Sequence, residues 1–291
     1  MSEMDAEIAS QPAHWRQAVD LAADPAVASL LPRPGRRVAV VGCGTSWFVA
    51  QAYAALRERA GLGETDAFAA SEFPLGRRYD QVLAITRSGT TTEIHRLLGQ
   101  LGAPATVLTG VPAEIEHQAG AVVDLSFSDE RSVVQTRFAT ATLALLRAHL
   151  GENLDRAIAE AEQVLETTVD TDVRAAGQFT FLGTGWTVGL AAEAALKLRE
   201  ASVSWAESYP ALEYRHGPIS IAEPGRVTWM FGQAPEGLAD EVRRAGALFV
   251  DDNLDPMADL VRAQRLAGAL AADRGLDPDN PRNLTRSVVL A

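Results

Sequence analysis

A hydroxyl-rich loop at residues 86–92 carries the residue pattern with the clearest chemical use. It follows a hydrophobic run at residues 82–85 and precedes apolar residues at helical spacing. Five hydroxyl side chains surround Gly89: Thr86, Ser88, Thr90, Thr91 and Thr92. The first backbone N–H groups of a helix lack partners within the helix, and the helix dipole favours negative charge there. One Ser or Thr would be enough to cap the helix. Five favour an anion site, and phosphate is the anion that best suits it.

A second pattern consists of charged residues in a segment otherwise rich in Ala and Leu. Glu193, Lys197 and Glu200 are spaced i, i+4 and i+7, which places them on one face of a helix. Exposed ion pairs are the commoner meaning of this spacing. The apolar surroundings are instead typical of a buried helix. A carboxylate beside an ammonium in a partly buried cleft is a candidate general base.

Histidine supplies a third candidate group. His216 directly precedes Gly217-Pro218, which indicates a loop, and loops carry many functional residues. Imidazoles exchange protons near neutral pH, although a lone surface histidine is more often inert. The other four lie on predicted helical segments without a partner pattern, and we interpret them as structural: His14, His95, His117 and His149.

The sequence gives little indication of a cofactor or metal. Gly42 and Gly44 begin a glycine-rich turn, but Trp47 stands where a dinucleotide-binding fingerprint has its third glycine. We interpret Cys43 as a small packing residue rather than a nucleophile. No spacing of His, Glu and Cys fits a metal site. We expect neither a metal nor an organic cofactor.

Alternating hydrophobic runs and helical patterns must position these residues. Strands are predicted at 38–41, 68–72, 82–85, 106–109 and 122–127. Helices are predicted at 5–24, 48–59 and 133–149, and one more runs from the hydroxyl-rich loop up to residue 101. This alternation indicates parallel βαβ units with helices on both faces of the sheet.

The second half of the chain repeats the first. The strand and turn at 40–46 are echoed at 181–187, and residues 227–231 correspond to the strand at 82–85. The loop at 232–237 contains no Ser or Thr, so we expect one anion site per chain. We predict two domains. Residues 1–150 comprise an N-terminal helix and the first copy, and residues 151–291 comprise a linking helix at 152–168, a shortened second copy and a tail.

Composition limits the partners. The chain has 291 residues, 47% of them hydrophobic, which suits one large or two medium domains. A net charge of −12 argues against binding nucleic acid or an anionic membrane, because their phosphates require a basic surface. A single cysteine excludes an intrachain disulfide. The N-terminus lacks the apolar run of a signal peptide, and no apolar stretch reaches membrane-spanning length. We therefore expect a cytoplasmic protein.

Short motifs spread along nearly the whole chain indicate a family. They are Glu7-Ile-x-x-Gln11-Pro12, Cys43-Gly-Thr-Ser46, Arg87-Ser88-Gly89-Thr90-Thr91, Glu193 to Glu200, Glu207, Glu213 to Pro218, and Pro281-Arg282-Asn283-Leu284-x-x-Ser287-Val288. Together they resemble the double sugar isomerase (SIS) domain family, especially the isomerase half of glucosamine-6-phosphate synthase and the amino-sugar-phosphate deaminases. The resemblance implies two flavodoxin-like α/β subdomains, each a parallel sheet with helices on both faces.

The resemblance also implies a role for individual residues. The sugar phosphate is held by Thr86, Ser88 and Thr91, with Arg87 in the same loop, while Thr45 and Ser46 contribute from the first loop. Glu200 is the general base that moves a proton between C1 and C2. His216 opens the sugar ring and is supplied across the interface of a homodimer. Further sugar-lining positions are Lys197, Glu130 and Val133.

Three departures from the synthase qualify this comparison. We expect the N-terminal glutaminase domain of the synthase to be absent. Arg286 replaces the tail lysine linked to ring opening, and because arginine stays protonated it could act only as a fixed cation or donor. Arg87 replaces a glutamine of the synthase and resembles the deaminase-like branch.

The expected function is therefore an aldose–ketose isomerase or amino-sugar-phosphate deaminase acting on a hexose or hexosamine 6-phosphate. The alternative is a non-catalytic sugar-phosphate sensor, which the replacement at Arg286 favours and the presence of Glu200 and His216 disfavours. A DNA-binding regulator of this family would need a helix-turn-helix, for which we expect no room at the N-terminus. The sequence leaves the identity of the sugar open.

Overall fold

The computed structural model describes residues 2–290 and divides into two compact units. The first unit comprises Ser10–Leu154 and the tail from Thr285 onward. The second unit comprises Asp155–Leu284 and the N-terminal residues up to Ala9. The division along the chain differs from the predicted one at both ends, since the tail groups with the first unit and the N-terminal residues group with the second.

The first unit is built on a five-stranded parallel sheet in the order β2-β1-β3-β4-β5. Its strands are β1 Val38–Gly42, β2 Thr65–Ala69, β3 Gln81–Thr86, β4 Thr106–Thr109 and β5 Ala121–Asp124. Its helices are α2 Gln11–Ala23, α3 Pro25–Ala28, α4 Thr45–Arg59, α5 Thr92–Gln100 and α6 Arg137–His149. This is the strand order of flavodoxin-like folds. The central strands are buried on both faces, as helix-covered parallel strands are.

The second unit repeats this order with one strand fewer, β7-β6-β8-β9, again all parallel. Its strands are β6 Gln178–Gly183, β7 Trp205–Pro210, β8 Arg226–Phe231 and β9 Leu248–Val250. Its helices are α1 Glu3–Ala9, α7 Asp155–Glu166, α8 Thr171–Arg174, α9 Thr187–Ser202, α10 Leu238–Arg244 and α11 Pro256–Asp273. The predicted fold class, with a shortened second copy, is confirmed.

The two strand-to-helix turns of the internal repeat each require a glycine for steric reasons. A Cβ atom on Gly42 would lie 2.5 Å from the backbone carbon of Ser46, and one on Gly183 would lie 2.3 Å from the carbonyl oxygen of Thr187. Each helix therefore starts so close to its strand that only glycine fits at the turn.

Several predicted boundaries were wrong. The helix predicted at 5–24 is broken at Ser10, because Pro12 cannot donate a backbone hydrogen bond inside a continuous helix and its ring would clash with the preceding turn. The strand predicted at 122–127 ends at Asp124 and a 3-10 turn follows, while the one predicted at 68–72 lies at 65–69. The helix predicted from 133 begins at Arg137.

Candidate active site

The hydroxyl-rich loop connects β3 to α5, as predicted. Thr91 occupies the N-cap position of α5 with an extended backbone, yet its hydroxyl makes no capping hydrogen bond. Capping therefore does not account for the hydroxyls of this loop.

Two of these hydroxyls are available to a ligand. Thr86 is 3% exposed, and its Oγ1 has no hydrogen-bond partner among the described residues. The Oγ of Ser88 accepts hydrogen bonds from the backbone N–H of Thr90 at 3.2 Å and from the Thr90 hydroxyl at 3.0 Å. The hydroxyl proton of Ser88 is therefore left to donate to a ligand. A buried hydroxyl without a partner is costly, and a bound phosphate oxygen would relieve that cost.

His95 contacts the backbone of the hydroxyl-rich loop at its turn. Its Nε2 lies 2.7 Å from the carbonyl oxygen of Gly89, and its Nδ1 lies 3.0 Å from the Oε1 of Gln118. Gly89 has a φ of +68°, and a Cβ there would approach the carbonyl oxygen of Val111 to 2.9 Å. The sequence alone did not reveal this role of His95, because the contact depends on how the loop turns back over α5.

Thr45 and Ser46 lie in the first turn of α4, and both are buried. They follow β1, which pairs in parallel with β3. The loops after the two strands therefore leave the sheet at the same edge, where open parallel sheets bind ligands. The structure thus brings the first-loop hydroxyls and the 86–91 loop to one edge of the first unit.

Cys43 in the same turn is half-buried against the core of the first unit. Burial, with a smaller contribution from Glu93, raises the pKa of the Cys43 thiol to about 11. The thiol is protonated at neutral pH, which agrees with its interpretation as a packing residue.

Arg87 is buried and held by protein carbonyls. One guanidinium nitrogen donates to Ser132 at 2.8 Å and to Val133 at 3.3 Å, and the other donates to the backbone of Arg286 at 2.7 Å. The Glu130 carboxylate lies 3.9 Å away. These contacts connect the loop to its surroundings, whereas a direct contact of Arg87 with phosphate stays a prediction.

Glu130 caps a helix in this structure. Its Oε1 accepts from the backbone and hydroxyl of Thr136 at 2.7 and 2.9 Å and from the backbone N–H of Arg137 at 2.7 Å. A carboxylate is favourable there because of the helix dipole. A sugar-lining role for Glu130, or for the half-buried Val133, stays a prediction.

Arg286 is anchored by a residue that the sequence analysis missed. Its guanidinium donates to both carboxylate oxygens of Asp129, at 2.6 and 2.8 Å, and to the carbonyl of Glu130. A single aspartate gives no local signal of such a long-range partner.

The charged face of α9 is buried in the second unit, as its Ala- and Leu-rich setting predicts. The ammonium of Lys197 lies 2.5 Å from a carboxylate oxygen of Glu200 and 3.5 Å from one of Glu193. Glu193 and Lys197 are buried, while the Glu200 side chain is 20% exposed. Glu200 lines a cavity of about 350 Å³ with Leu196, Arg199, Val203, Arg282, Asn283 and Leu284. It is therefore the acid of this face that opens to a space of ligand size.

His216 lies on an exposed loop between two 3-10 turns of the second unit. No hydrogen bond to its imidazole is found within residues 2–290, and the following Gly217 has a φ of +127°. The His216 side chain is therefore exposed on an irregular turn.

No group of three or more His, Cys, Asp or Glu side chains in residues 2–290 is arranged to hold a metal ion. Over the same residues, every helix is too short or too polar to cross a membrane.

Comparison with known proteins gives sequence relatives over most of the chain. No protein-family model matches. The isomerizing glutamine–fructose-6-phosphate aminotransferase of Gloeobacter violaceus is 32% identical over 316 residues, covering 87% of this chain and 52% of the relative. That of Thermosynechococcus vestitus is 30% identical over 324 residues, covering 88% of this chain and 52% of the relative. The chain spans about half the length of these curated relatives.

Solved structures share the fold over nearly the whole chain. Glucosamine-6-phosphate deaminase from Thermotoga maritima superposes with a TM-score of 0.81 at 23% identity, covering 99% of this chain and 100% of that one. The C-terminal domain of glucosamine-fructose-6-phosphate aminotransferase from Francisella tularensis gives 0.78 at 20% identity, covering 96% and 98%. The sequence and structure matches confirm the resemblance to the double sugar isomerase domain family.

Replacement of Thr86 by valine tests the phosphate loop. Thr86→Val keeps the side-chain shape and removes a buried hydroxyl that has no partner among the described residues. We expect the free energy of unfolding of the ligand-free protein to stay unchanged or rise. Sugar-phosphate binding should weaken roughly tenfold to a hundredfold, because a hydrogen bond to a charged group is lost. Calorimetry with phosphorylated and unphosphorylated sugar measures both affinities. Equal loss for the two ligands would show that the loop does not bind phosphate.

Proposed function

We propose that this protein is an enzyme that isomerises or deaminates a hexose or hexosamine 6-phosphate. The observation that carries the proposal is the Lys197–Glu200 ion pair, which places a partly exposed carboxylate at the wall of a cavity. The sequence relatives are named as isomerizing aminotransferases, and one structural neighbour is a glucosamine-6-phosphate deaminase.

The proposed chemistry is proton transfer between neighbouring carbons. The Glu200 carboxylate takes the proton from C2 of the open-chain aldose; the C1=C2 double bond forms as the C1=O double bond breaks and O1 takes a proton, which gives an enediol or enolamine. The carboxylate then returns the proton to C1 while the oxygen or nitrogen on C2 loses one, which gives a C2 ketone or imine. In the deamination water adds to the C2 imine and ammonia leaves, so that the C2 oxygen comes from water. The ammonium of Lys197, 2.5 Å from Glu200, fixes the orientation of the carboxylate.

Binding of the phosphate group positions the sugar. The buried Thr86 hydroxyl, the Ser88 proton and the N-terminus of α5 provide donors and a positive dipole at one place. Binding energy gained at the phosphate can be used to orient the sugar for reaction. Thr45, Ser46 and Thr91 are proposed to add hydroxyl contacts.

A non-catalytic sugar-phosphate sensor is the second candidate. Arg286 favours it, because a guanidinium cannot form an imine with the sugar. Glu200 and His216 favour the enzyme. The two are separated by incubating the protein with a panel of hexose and hexosamine 6-phosphates in D₂O. Exchange at C2, ketose formation and ammonia release are followed by NMR. Tight binding without exchange for every sugar would establish the sensor.

We further propose that the protein is a homodimer in which each site borrows His216 from the neighbouring chain. The exposed position of His216 supports this, because its imidazole is free to reach outside its own chain. Mixed dimers of Glu200→Gln and His216→Ala chains should then contain one intact site of two and regain activity that neither parent has. Activity of separately purified, differently tagged heterodimers measures this. Inactive heterodimers would instead place both residues in the same chain's site.

A further inference from the structure

The tail of the chain lies against the hydroxyl-rich loop of the first unit. Arg286 offers its carbonyl oxygen to Arg87 at 2.7 Å, and the Ser287 hydroxyl lies 2.8 Å from that of Thr90. Further along, the Val288 carbonyl accepts from the backbone N–H of Thr92 at 3.1 Å, and the backbone N–H of Leu290 donates to the Thr92 hydroxyl at 2.9 Å. The tail therefore contacts both the loop and the first turn of α5.

These contacts are polar, with little burial of apolar surface. Val288, Val289 and Leu290 are 50%, 68% and 50% exposed. Hydrophobic burial is the main non-directional force that holds chain segments together, and it is weak here. The position of the tail thus depends on its hydrogen bonds and its ion pair.

The ion pair is that of Arg286 with Asp129. Both hydrogen bonds to the Asp129 carboxylate come from one guanidinium nitrogen, the Nη2 of Arg286, at 2.6 and 2.8 Å. Because donor and acceptor are both ionised, these bonds are stronger than neutral ones. The two side chains are 37% and 33% exposed, so water competes for the pair and weakens it. The Nη1 of the same guanidinium donates to the Glu130 carbonyl.

Arg87 connects the tail to the hydroxyls. It is the residue between Thr86 and Ser88, and its guanidinium holds the Arg286 carbonyl on one side and the Ser132 and Val133 carbonyls on the other. A displacement of the tail removes one of the oxygens that fix Arg87, and it therefore loosens the loop on both sides of that residue.

We propose that Arg87, Arg286 and Asp129 are positioning residues that hold the tail across the loop and thereby fix the geometry of the hydroxyls that bind phosphate. Neither guanidinium acts on the sugar. The effect on catalysis rests on the proposed function, but the tether itself is a property of the ligand-free protein and can be measured without activity.

The test is a double-mutant cycle on Asp129→Ala and Arg286→Ala. Hydrogen exchange at the Thr92 and Leu290 amides reports the tether in the absence of sugar. We expect each single variant to exchange several-fold faster than wild type, and the double variant to exchange no faster than either. Asp273→Ala is the matched control, because it breaks a two-oxygen pair with Arg174 in the second unit and should leave these amides unchanged.

Kinetics form the second arm. Both single variants should raise KM for a sugar 6-phosphate by similar factors with smaller changes in kcat, and the double variant should resemble the singles. Arg87→Gln should also speed exchange at the tail amides.

Additive effects of Asp129→Ala and Arg286→Ala on exchange or on KM would overturn the proposal. So would an Arg286→Ala variant that loses kcat while Asp129→Ala changes neither exchange nor KM, since Arg286 would then act on the substrate. A protein without turnover would refute the proposed function, and the exchange arm would still decide the tether.

Discussion

Glu200→Gln should slow turnover by about 10²–10⁴-fold, because it removes the proposed general base while keeping the shape of the side chain. The carboxylate oxygen that meets the Lys197 ammonium at 2.5 Å can be replaced by the amide oxygen, so the local structure should survive. Affinity for the sugar phosphate should change little, since the hydroxyl-rich loop is the proposed phosphate site. The measurement is exchange of the C2 proton with D₂O, alongside a binding isotherm.

Glu166→Gln is a suitable control for this experiment. Glu166 is an exposed carboxylate at the end of α7 in the same unit, and its replacement removes the same charge without touching the cavity. The control should exchange at the wild-type rate. If Glu200→Gln also exchanges at that rate while wild type is active, another group must be the base.

Local patterns predicted those features that depend on neighbouring residues in the sequence. The i, i+4, i+7 spacing placed Glu193, Lys197 and Glu200 on one face because helical periodicity is fixed by the backbone. The repeated glycine turns were visible because each strand meets its helix within a few residues. Misplaced strand ends, such as that of β5, follow from apolar residues that continue into a 3-10 turn and look the same in sequence.

Features that depend on distant residues could not be predicted in this way. Asp129 and Arg286 are separated by 157 positions, and neither belongs to a periodic pattern that would pair them. The same applies to Arg87, whose buried guanidinium takes carbonyls from two remote segments. The sequence therefore placed the hydroxyls correctly in a loop, while the structure was needed to find what holds that loop.

Lys197 should be important for stability as well as for catalysis. It is buried between two carboxylates, of which Glu193 is also buried and lies 3.5 Å from the ammonium. Lys197→Met retains most of the side-chain volume but leaves Glu193 without this cation. Breaking a buried ion pair by removing one partner typically costs about 3–5 kcal/mol of the free energy of unfolding. The midpoint of urea denaturation measures the loss, and an unchanged slope would show that the unfolded state is unaffected.

Two further variants separate the lost charge from lost packing. The double variant Glu193→Gln/Lys197→Met removes the buried Glu193 charge together with the lysine, so it should recover a large part of the stability that Lys197→Met loses. Arg156→Met breaks an ion pair with the same i, i+4 spacing to Glu160, but Arg156 is 62% exposed and solvent screens the pair, so the effect should be slight. A Lys197→Met chain as stable as the Arg156→Met chain would mean that the burial of Glu193 is compensated by a group other than Lys197. In that case Lys197 would serve to orient Glu200 and would not be needed for stability.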